Sequence, residues 1–257
     1  MLITEMFHTI QGEATFTGTP SLFIRTQGCD VGCSFCDTKF TWKFYEQDNL
    51  PKHTPLFNPI KMKKFNQKKG QFLQENVHKE KHLFSIPVEF YDEFAQEIRA
   101  WSNNVAQHTK HIVLTGGEPL RQKDLWRFYE SILQNTLFRM QLETSGTSEV
   151  DNLLIQTVKQ NKSRFFTTLS PKIGMTGGLI VNQKIIQIVD EIKFPVGKKQ
   201  DLEVLQEFIQ TYGVPKHIPI WLQPLSQSRK ATEICVNASK QLGYHLSLQT
   251  HKYANIY

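Results

Sequence analysis

Short apolar runs alternate with amphipathic stretches along this chain. Residues 21–26 (SLFIRT), 111–115 (HIVLT), 139–144 (RMQLET), 165–170 (FFTTLS), 191–196 (EIKFPV), 218–225 (IPIWLQPL) and 244–250 (YHLSLQT) predict strands. Between them the period lengthens. Leu125, Phe128, Tyr129, Ile132 and Leu133 fall on one helical face, and Leu202, Leu205, Phe208, Ile209 and Tyr212 on another. Repeated alternation of this kind implies parallel strands joined by crossovers, an α/β fold. The stretch from 26 to 111 is too long for one crossover. It therefore carries extra material: an insertion over 50–85, opened by Pro51, Pro55 and Pro59, and a helix near 88–102. No second domain and no longer repeat stands out, so 1–257 is expected to be a single domain.

Polar residues gather where the strands end. Cys29 follows the first strand, Thr115-Gly116-Gly117-Glu118-Pro119 the second, Glu143-Thr144-Ser145-Gly146 the third and Ser170-Pro171-Lys172 the fourth. Lys193 lies within the fifth, Gln223-Pro224 within the sixth, and Gln249-Thr250-His251 closes the last. In a parallel barrel all carboxyl ends open on one face, so these segments would converge on one pocket. Turn chemistry explains any one Gly-Gly or Ser-Pro, but not polar groups at nearly every strand end.

Composition narrows the class. A chain of 257 residues, 39% of them hydrophobic, can bury a large core. No apolar run approaches a membrane span and the start lacks the form of a signal peptide, so a cytoplasmic protein is expected. The net charge of +6 is concentrated in Lys61–Lys81, where seven lysines face Glu75 and Glu80. A local solvated insertion accounts for it, and direct nucleic-acid binding is not expected.

Three of the four cysteines fall in one loop, Cys29-x3-Cys33-x2-Cys36, with Cys235 far away. Such crowding suits metal chemistry better than disulfides. A structural zinc site needs a fourth ligand, which His8, His53 or another distant residue would have to supply. A [4Fe–4S] cluster held by three thiolates leaves one iron open to a ligand. Cys235 shares a helix face with Ile234, Ala238 and Leu242 and reads as a buried, inert thiol.

The cysteine loop resembles the cluster motif of the radical S-adenosylmethionine (SAM) superfamily, and Gly116-Gly117-Glu118-Pro119 resembles its SAM amino-group motif. Within that superfamily, Gln11-Gly12-Glu13, Arg25, Cys36-Asp37-Thr38, Glu143-Thr144-Ser145-Gly146, Ser170-Pro171-Lys172, Gln223-Pro224 and Gln249-Thr250-His251-Lys252 resemble the 7-carboxy-7-deazaguanine synthase family of the queuosine precursor pathway. The resemblance lapses over roughly 50–85, and Ala14 stands where many members carry glycine.

The resemblance implies a partial (β/α)6 barrel with an insertion after the cluster loop. It implies a [4Fe–4S] cluster on Cys29, Cys33 and Cys36, and SAM bound by Phe35, Cys36, Asp37, Gly117, Glu118, Ser170, Pro171, Lys172, Gln223, Pro224, Leu225 and Ser226. A 6-carboxy-5,6,7,8-tetrahydropterin would be read by Ile10, Gln11, Gly12, Glu13, Arg25, Thr115, His251 and Tyr257. Thr38 would hold Mg²⁺ against the substrate carboxylate. Reduced SAM gives a 5′-deoxyadenosyl radical, which takes the C6 hydrogen; the ring contracts, ammonia leaves and SAM is regenerated. The implied partners are an electron-donor protein of flavodoxin or ferredoxin type and a second copy in a homodimer. Each role has a structural counterpart. Lys193 could serve the carboxylate of either ligand, but it and Arg25 equally suit strand-end ion pairs, Thr38 a turn hydroxyl and His251 a hydrogen-bonded strand end. Two other functions stay open: a glycyl-radical activating enzyme acting on a protein partner, and a non-catalytic metal-binding module.

Overall fold

The computed structural model describes residues 1–45, 57 and 83–256. Nine strands form one sheet: β1 (Leu2–Ile10), β2 (Pro20–Thr26), β3 (Phe84–Ser85), β4 (His111–Gly116), β5 (Arg139–Thr144), β6 (Phe165–Leu169), β7 (Glu191–Val196), β8 (Ile220–Pro224) and β9 (His245–Leu246). Their order is β3-β1-β2-β4-β5-β6-β7-β8-β9. From β2 onward every pairing is parallel, while β1 runs antiparallel to β2 and β3 antiparallel to β1. The helices are α1 (Tyr91–Val105), α2 (Leu125–Asn135), α3 (Asn152–Gln160), α4 (Gln200–Thr211), α5 (Arg229–Leu242) and α6 (Thr250–Ala254). Local chemistry sets several ends. Asp151 caps α3 by accepting from the Leu153 amide, and Ser228 caps α5 by accepting from Ala231.

Period-two alternation divides the sheet between two environments. One set of positions, Leu22 and Ile24, Ile112 and Leu114, Met140 and Leu142, with Ile192 and Leu222, is buried in a single core with Phe94, Ile98, Phe128, Tyr129 and Ile132 of the helices. The alternate set carries Arg25, Thr115, Gln141, Glu143, Thr168, Glu191, Lys193 and Gln223. Parallel strands are ordinarily apolar on both faces. Here the inner face is polar, which marks it as the place of the chemistry.

The expected strands form, with changes at the ends of the chain. The run 244–250 pairs only at His245–Leu246 and turns into α6 at Thr250, so Gln249-Thr250-His251 closes a loop and opens a helix. β1 was not expected, and neither was β3. The latter lies inside the stretch taken as insertion, where Phe84 and Ser85 pair with Ile3 and Leu2. The rest of 50–85 falls outside the described residues except for Phe57 and Leu83. Phe57 is buried, donates its amide to the Ser85 carbonyl at 2.9 Å and packs against the Phe94 ring at 5.2 Å. An aromatic side chain there gains by entering the core, while the Lys61–Lys81 run read as a solvated insertion lies outside the described residues. The crossover from β6 to β7 carries only a short 3-10 turn, Gln183–Gln187.

Candidate active site

The cysteine loop leaves the carboxyl end of β2 and is held by backbone bonds on two sides. Gly117 N–H donates to Thr26 O at 2.9 Å and Glu118 N–H to Gly28 O at 2.8 Å. Opposite, Gly177 N–H donates to Val31 O at 3.1 Å and the Thr176 hydroxyl to Gly32 O at 2.6 Å. The approach at Gly117 admits no side chain, since a Cβ there would lie 2.3 Å from the Gly28 oxygen. Gly117→Ala is therefore expected to push the loop away and lose most of its iron after anaerobic reconstitution, with the far-ultraviolet spectrum unchanged. Wild-type iron content in that variant would show that the contact does not position the cysteines.

All three loop cysteines are free thiols. Burial pushes Cys29 up to about 11, and Glu118, Cys33 and Cys36 lie close enough to add to the shift. Trp42 Nε1–H points at Cys36 Sγ from 3.4 Å, and the Thr38 hydroxyl lies 3.6 Å from the same sulfur. Among the described residues, no three His, Cys, Asp or Glu side chains gather as a single ion would require. A [4Fe–4S] cubane asks for something different, each thiolate on its own iron, and three sulfurs on one pinned loop supply that set.

Around this loop lie the segments expected to hold SAM. Both carboxylate oxygens of buried Glu118 are engaged: one accepts from Leu120 N (3.1 Å) and the Thr144 hydroxyl, the other from the Ser145 amide (2.8 Å) and hydroxyl. Its side chain thus ties the Gly-Gly turn to the end of β5. Lys172 folds back on Ser170, donating to its carbonyl at 2.9 Å and to its hydroxyl. Burial brings the Lys172 ammonium down to about 8, while Cys33 opposes the shift. Ser226 holds a left-handed backbone at φ 55° just beyond β8, after Pro224 and Leu225. Phe35 is half-buried, and exposed Asp37 lies 3.8 Å from Lys252 Nζ of α6.

The residues expected to read the substrate converge from both ends of the sheet. Gln11, Gly12 and Glu13 lie in the turn from β1 to β2, which crosses the inner face. Gln11 Nε2 donates to Gln141 (3.0 Å) and Glu143 (3.2 Å), and Thr115 donates to the other Glu143 oxygen at 3.1 Å. Lys193 pairs with Glu13 and lies 3.3 Å from Glu143, with only 8% of its side chain exposed. Gln249 and Gln223 donate to Glu13 at 2.7 and 3.3 Å. Although burial pushes the Glu13 carboxyl up, Lys193 and the amide of Gln249 hold it below the usual carboxylate range. Lys193 is raised in return, because Glu13 and Glu143 outweigh the effect of burial. Lys193 thus forms an ion pair across the inner face.

His251 reaches this group because α6 docks on the turn: Thr250 donates its amide (3.0 Å) and hydroxyl (3.1 Å) to the Gly12 carbonyl. Ile10 ends β1 opposite Pro20 and is 41% exposed. Ala14 follows at φ 53°, the left-handed region in which glycine is cheaper. Arg25 pairs with Glu5 at 2.6 Å. Tyr257 lies outside the described residues.

Sequence reasoning passed over Glu5, Gln141, Thr168 and Glu191, and gave Glu143 no role. Buried Glu191 accepts from Thr15 Oγ1 (2.5 Å) and Thr168 Oγ1 (2.7 Å), and Gln141 donates to Thr168 at 2.8 Å. The available signal was a pair of polar residues two apart in a strand, Gln141/Glu143 and Glu191/Lys193, which share one face.

Residues 23–160 match the radical SAM superfamily. The 7-carboxy-7-deazaguanine synthase of Escherichia coli K12 is 37% identical over 254 residues, spanning 99% of this chain and 98% of that protein. The protein of the same name from Buchnera aphidicola subsp. Schizaphis graminum is also 37% identical, with the same coverage. The crystal structure of QueE from Escherichia coli superposes with a TM-score of 0.70 at 33% identity, covering 96% of this chain and 92% of that one. With its three cysteines on one loop and its polar inner face, this chain belongs to the 7-carboxy-7-deazaguanine synthase family of the radical SAM superfamily.

Proposed function

We propose that this chain is a radical SAM enzyme that converts 6-carboxy-5,6,7,8-tetrahydropterin to 7-carboxy-7-deazaguanine with loss of ammonia, in queuosine biosynthesis. The observation that carries this reading is identity of 37% across 99% of the chain with the 7-carboxy-7-deazaguanine synthase of Escherichia coli K12. It disfavours a glycyl-radical activating enzyme, because the match includes Gln11-Gly12-Glu13 and the α6 segment, for which a protein substrate gives no reason. Anaerobic turnover of the carboxypterin, followed by product mass, tests it.

With a cluster on Cys29, Cys33 and Cys36 and SAM beside it, the cofactors supply the hydrogen-abstracting radical. The chain's own residues bind, orient and shield. A pterin edge presents alternating donors and acceptors, matched by the Gln11 amide, the Glu13 and Glu143 carboxylates and the Thr115 hydroxyl. Lys193, fixed between two carboxylates, keeps the Glu13 acceptor charged despite its burial. Arg25 offers a fork to the substrate carboxylate. Docking of α6 against Gly12 closes the site from the side of the turn and limits access of water. Phe35, Cys36 and Asp37, the Gly117–Glu118 turn, Ser170–Lys172 and Gln223–Ser226 would hold SAM. We place the enzyme in the cytoplasm as one radical SAM domain and a homodimer, reduced by a flavodoxin or ferredoxin-like protein. No helix among the described residues is long and apolar enough to cross a membrane.

Mg²⁺ belongs to the same reading. Such an ion would keep several waters and need few protein ligands, so the Thr38 hydroxyl and the substrate carboxylate would hold it. Thr38→Ala should keep cluster and SAM binding but form little product while still releasing 5′-deoxyadenosine, and Thr38→Ser should retain much of the activity. Both species are quantified across a Mg²⁺ titration. Equal product from Thr38→Ala and wild type at every concentration would reduce the hydroxyl to a turn residue.

A further inference from the structure

β1 and β2 pair in regular antiparallel register from Glu5↔Arg25 to Ile10↔Pro20 and then slip, Ile3 facing Thr26. Thr4 is the extra residue of a β-bulge. Its hydroxyl donates to Gln27 Oε1 at 2.6 Å, which fixes the bulge in a buried setting. Strict alternation would put Ile3 and Glu5 on one face. With the bulge, Ile3 enters the core beside Met6, while Glu5 faces inward with Phe7, opposite Arg25. Bulges beside active sites commonly re-aim a side chain in this way.

The contact Glu5 makes is selective. Its Oε1 accepts from Arg25 Nε at 2.6 Å, and the guanidinium carbon lies 5.5 Å from the centre of the Phe7 ring. Gly116, at φ 118°, gives the arginine stem its room: a Cβ there would lie 2.5 Å from Arg25 Cγ. Among the described residues, no hydrogen bond engages the two terminal nitrogens of Arg25. One edge of the guanidinium is thus anchored and the fork that matches a carboxylate is left over.

We infer that Glu5 is the positioning residue that aims the Arg25 fork at the substrate carboxylate, and so sets the preference for a carboxylated pterin. The inference rests on the activity proposed above. Two effects of Glu5 have opposite signs. As a nearby negative charge it repels a carboxylate, so removing it would tighten binding; as an anchor for Nε it keeps the fork aligned, so removing it would weaken binding. Glutamine separates the two, because its amide oxygen still accepts from Nε without the charge.

The test measures substrate affinity by anaerobic calorimetry on the reconstituted enzyme with SAM, beside KM and kcat. The ligands are the 6-carboxypterin and its 6-carboxamide analogue. Glu5→Ala is expected to weaken binding of the carboxylate at least about tenfold, with affinity for the carboxamide and kcat at saturation little changed. Glu5→Gln should stay close to wild type. The inference is overturned if Glu5→Ala binds the carboxylate as tightly as wild type or tighter, or if it loses both ligands equally, as a merely structural residue would. If wild-type enzyme fails to bind the carboxypterin, the proposed activity itself falls and takes the inference with it.

Discussion

Replacing any one of Cys29, Cys33 or Cys36 with alanine is expected to abolish both cluster assembly and turnover, whereas Cys235→Ala leaves both intact. The three loop thiols sit on one loop, held by the Glu118–Gly28 and Gly177–Val31 backbone bonds, and each would occupy a separate iron. Two thiolates cannot keep the third iron in place, so the loss should be all or nothing. Cys235 is fully buried on α5, and burial pushes its thiol up to about 12. It behaves as a small apolar group, and truncation should cost only on the order of 1 kcal/mol of stability. Iron per chain and visible absorbance after anaerobic reconstitution give the comparison. Equal iron loss from the Cys235 variant would contradict the ligand set.

The second large effect concerns the charges on the inner face. Lys193→Met is expected to destabilise the fold by about 3–5 kcal/mol, because it strands the Glu13 and Glu143 carboxylates in a site removed from water. The double variant Glu13→Gln/Lys193→Met should recover a good part of that loss, since the uncompensated charge goes with its partner. Denaturant unfolding of the wild type, Glu13→Gln, Lys193→Met and the double variant measures it. The pH dependence has a definite sign: Glu13 is held below the usual carboxylate range, so its share of stability is present above the ordinary value of 4.5 and is lost as pH falls through the lowered one. Additive, small effects in the cycle would mean that water reaches the pair and screens it.

How much of this was legible beforehand follows from where the signal lies. Parallel strands buried on one face keep their apolar runs, so β2 and β4 to β8 stand out, and their polar ends announce the site. β1 was missed because the Thr4 bulge breaks its alternation, and alternation is what identifies a half-buried strand. The cysteine loop carries its chemistry in local spacing. The Glu5–Arg25, Lys193–Glu13 and Thr15–Glu191 contacts do not, since each joins residues that only the register of the sheet brings together. Arg25 and Lys193 had two credible roles for that reason. The structure gives both an ion-pair partner, and leaves the Arg25 fork free among the described residues.

The most direct measurement of the central claim is a single anaerobic reaction containing the reconstituted protein, reductant, SAM, Mg²⁺ and 6-carboxy-5,6,7,8-tetrahydropterin, with products weighed by mass spectrometry. The expected result is 7-carboxy-7-deazaguanine, lighter than the substrate by one ammonia, formed over many turnovers without matching consumption of SAM. A fully loaded cluster that cleaves SAM to 5′-deoxyadenosine while the pterin is recovered unchanged would contradict it.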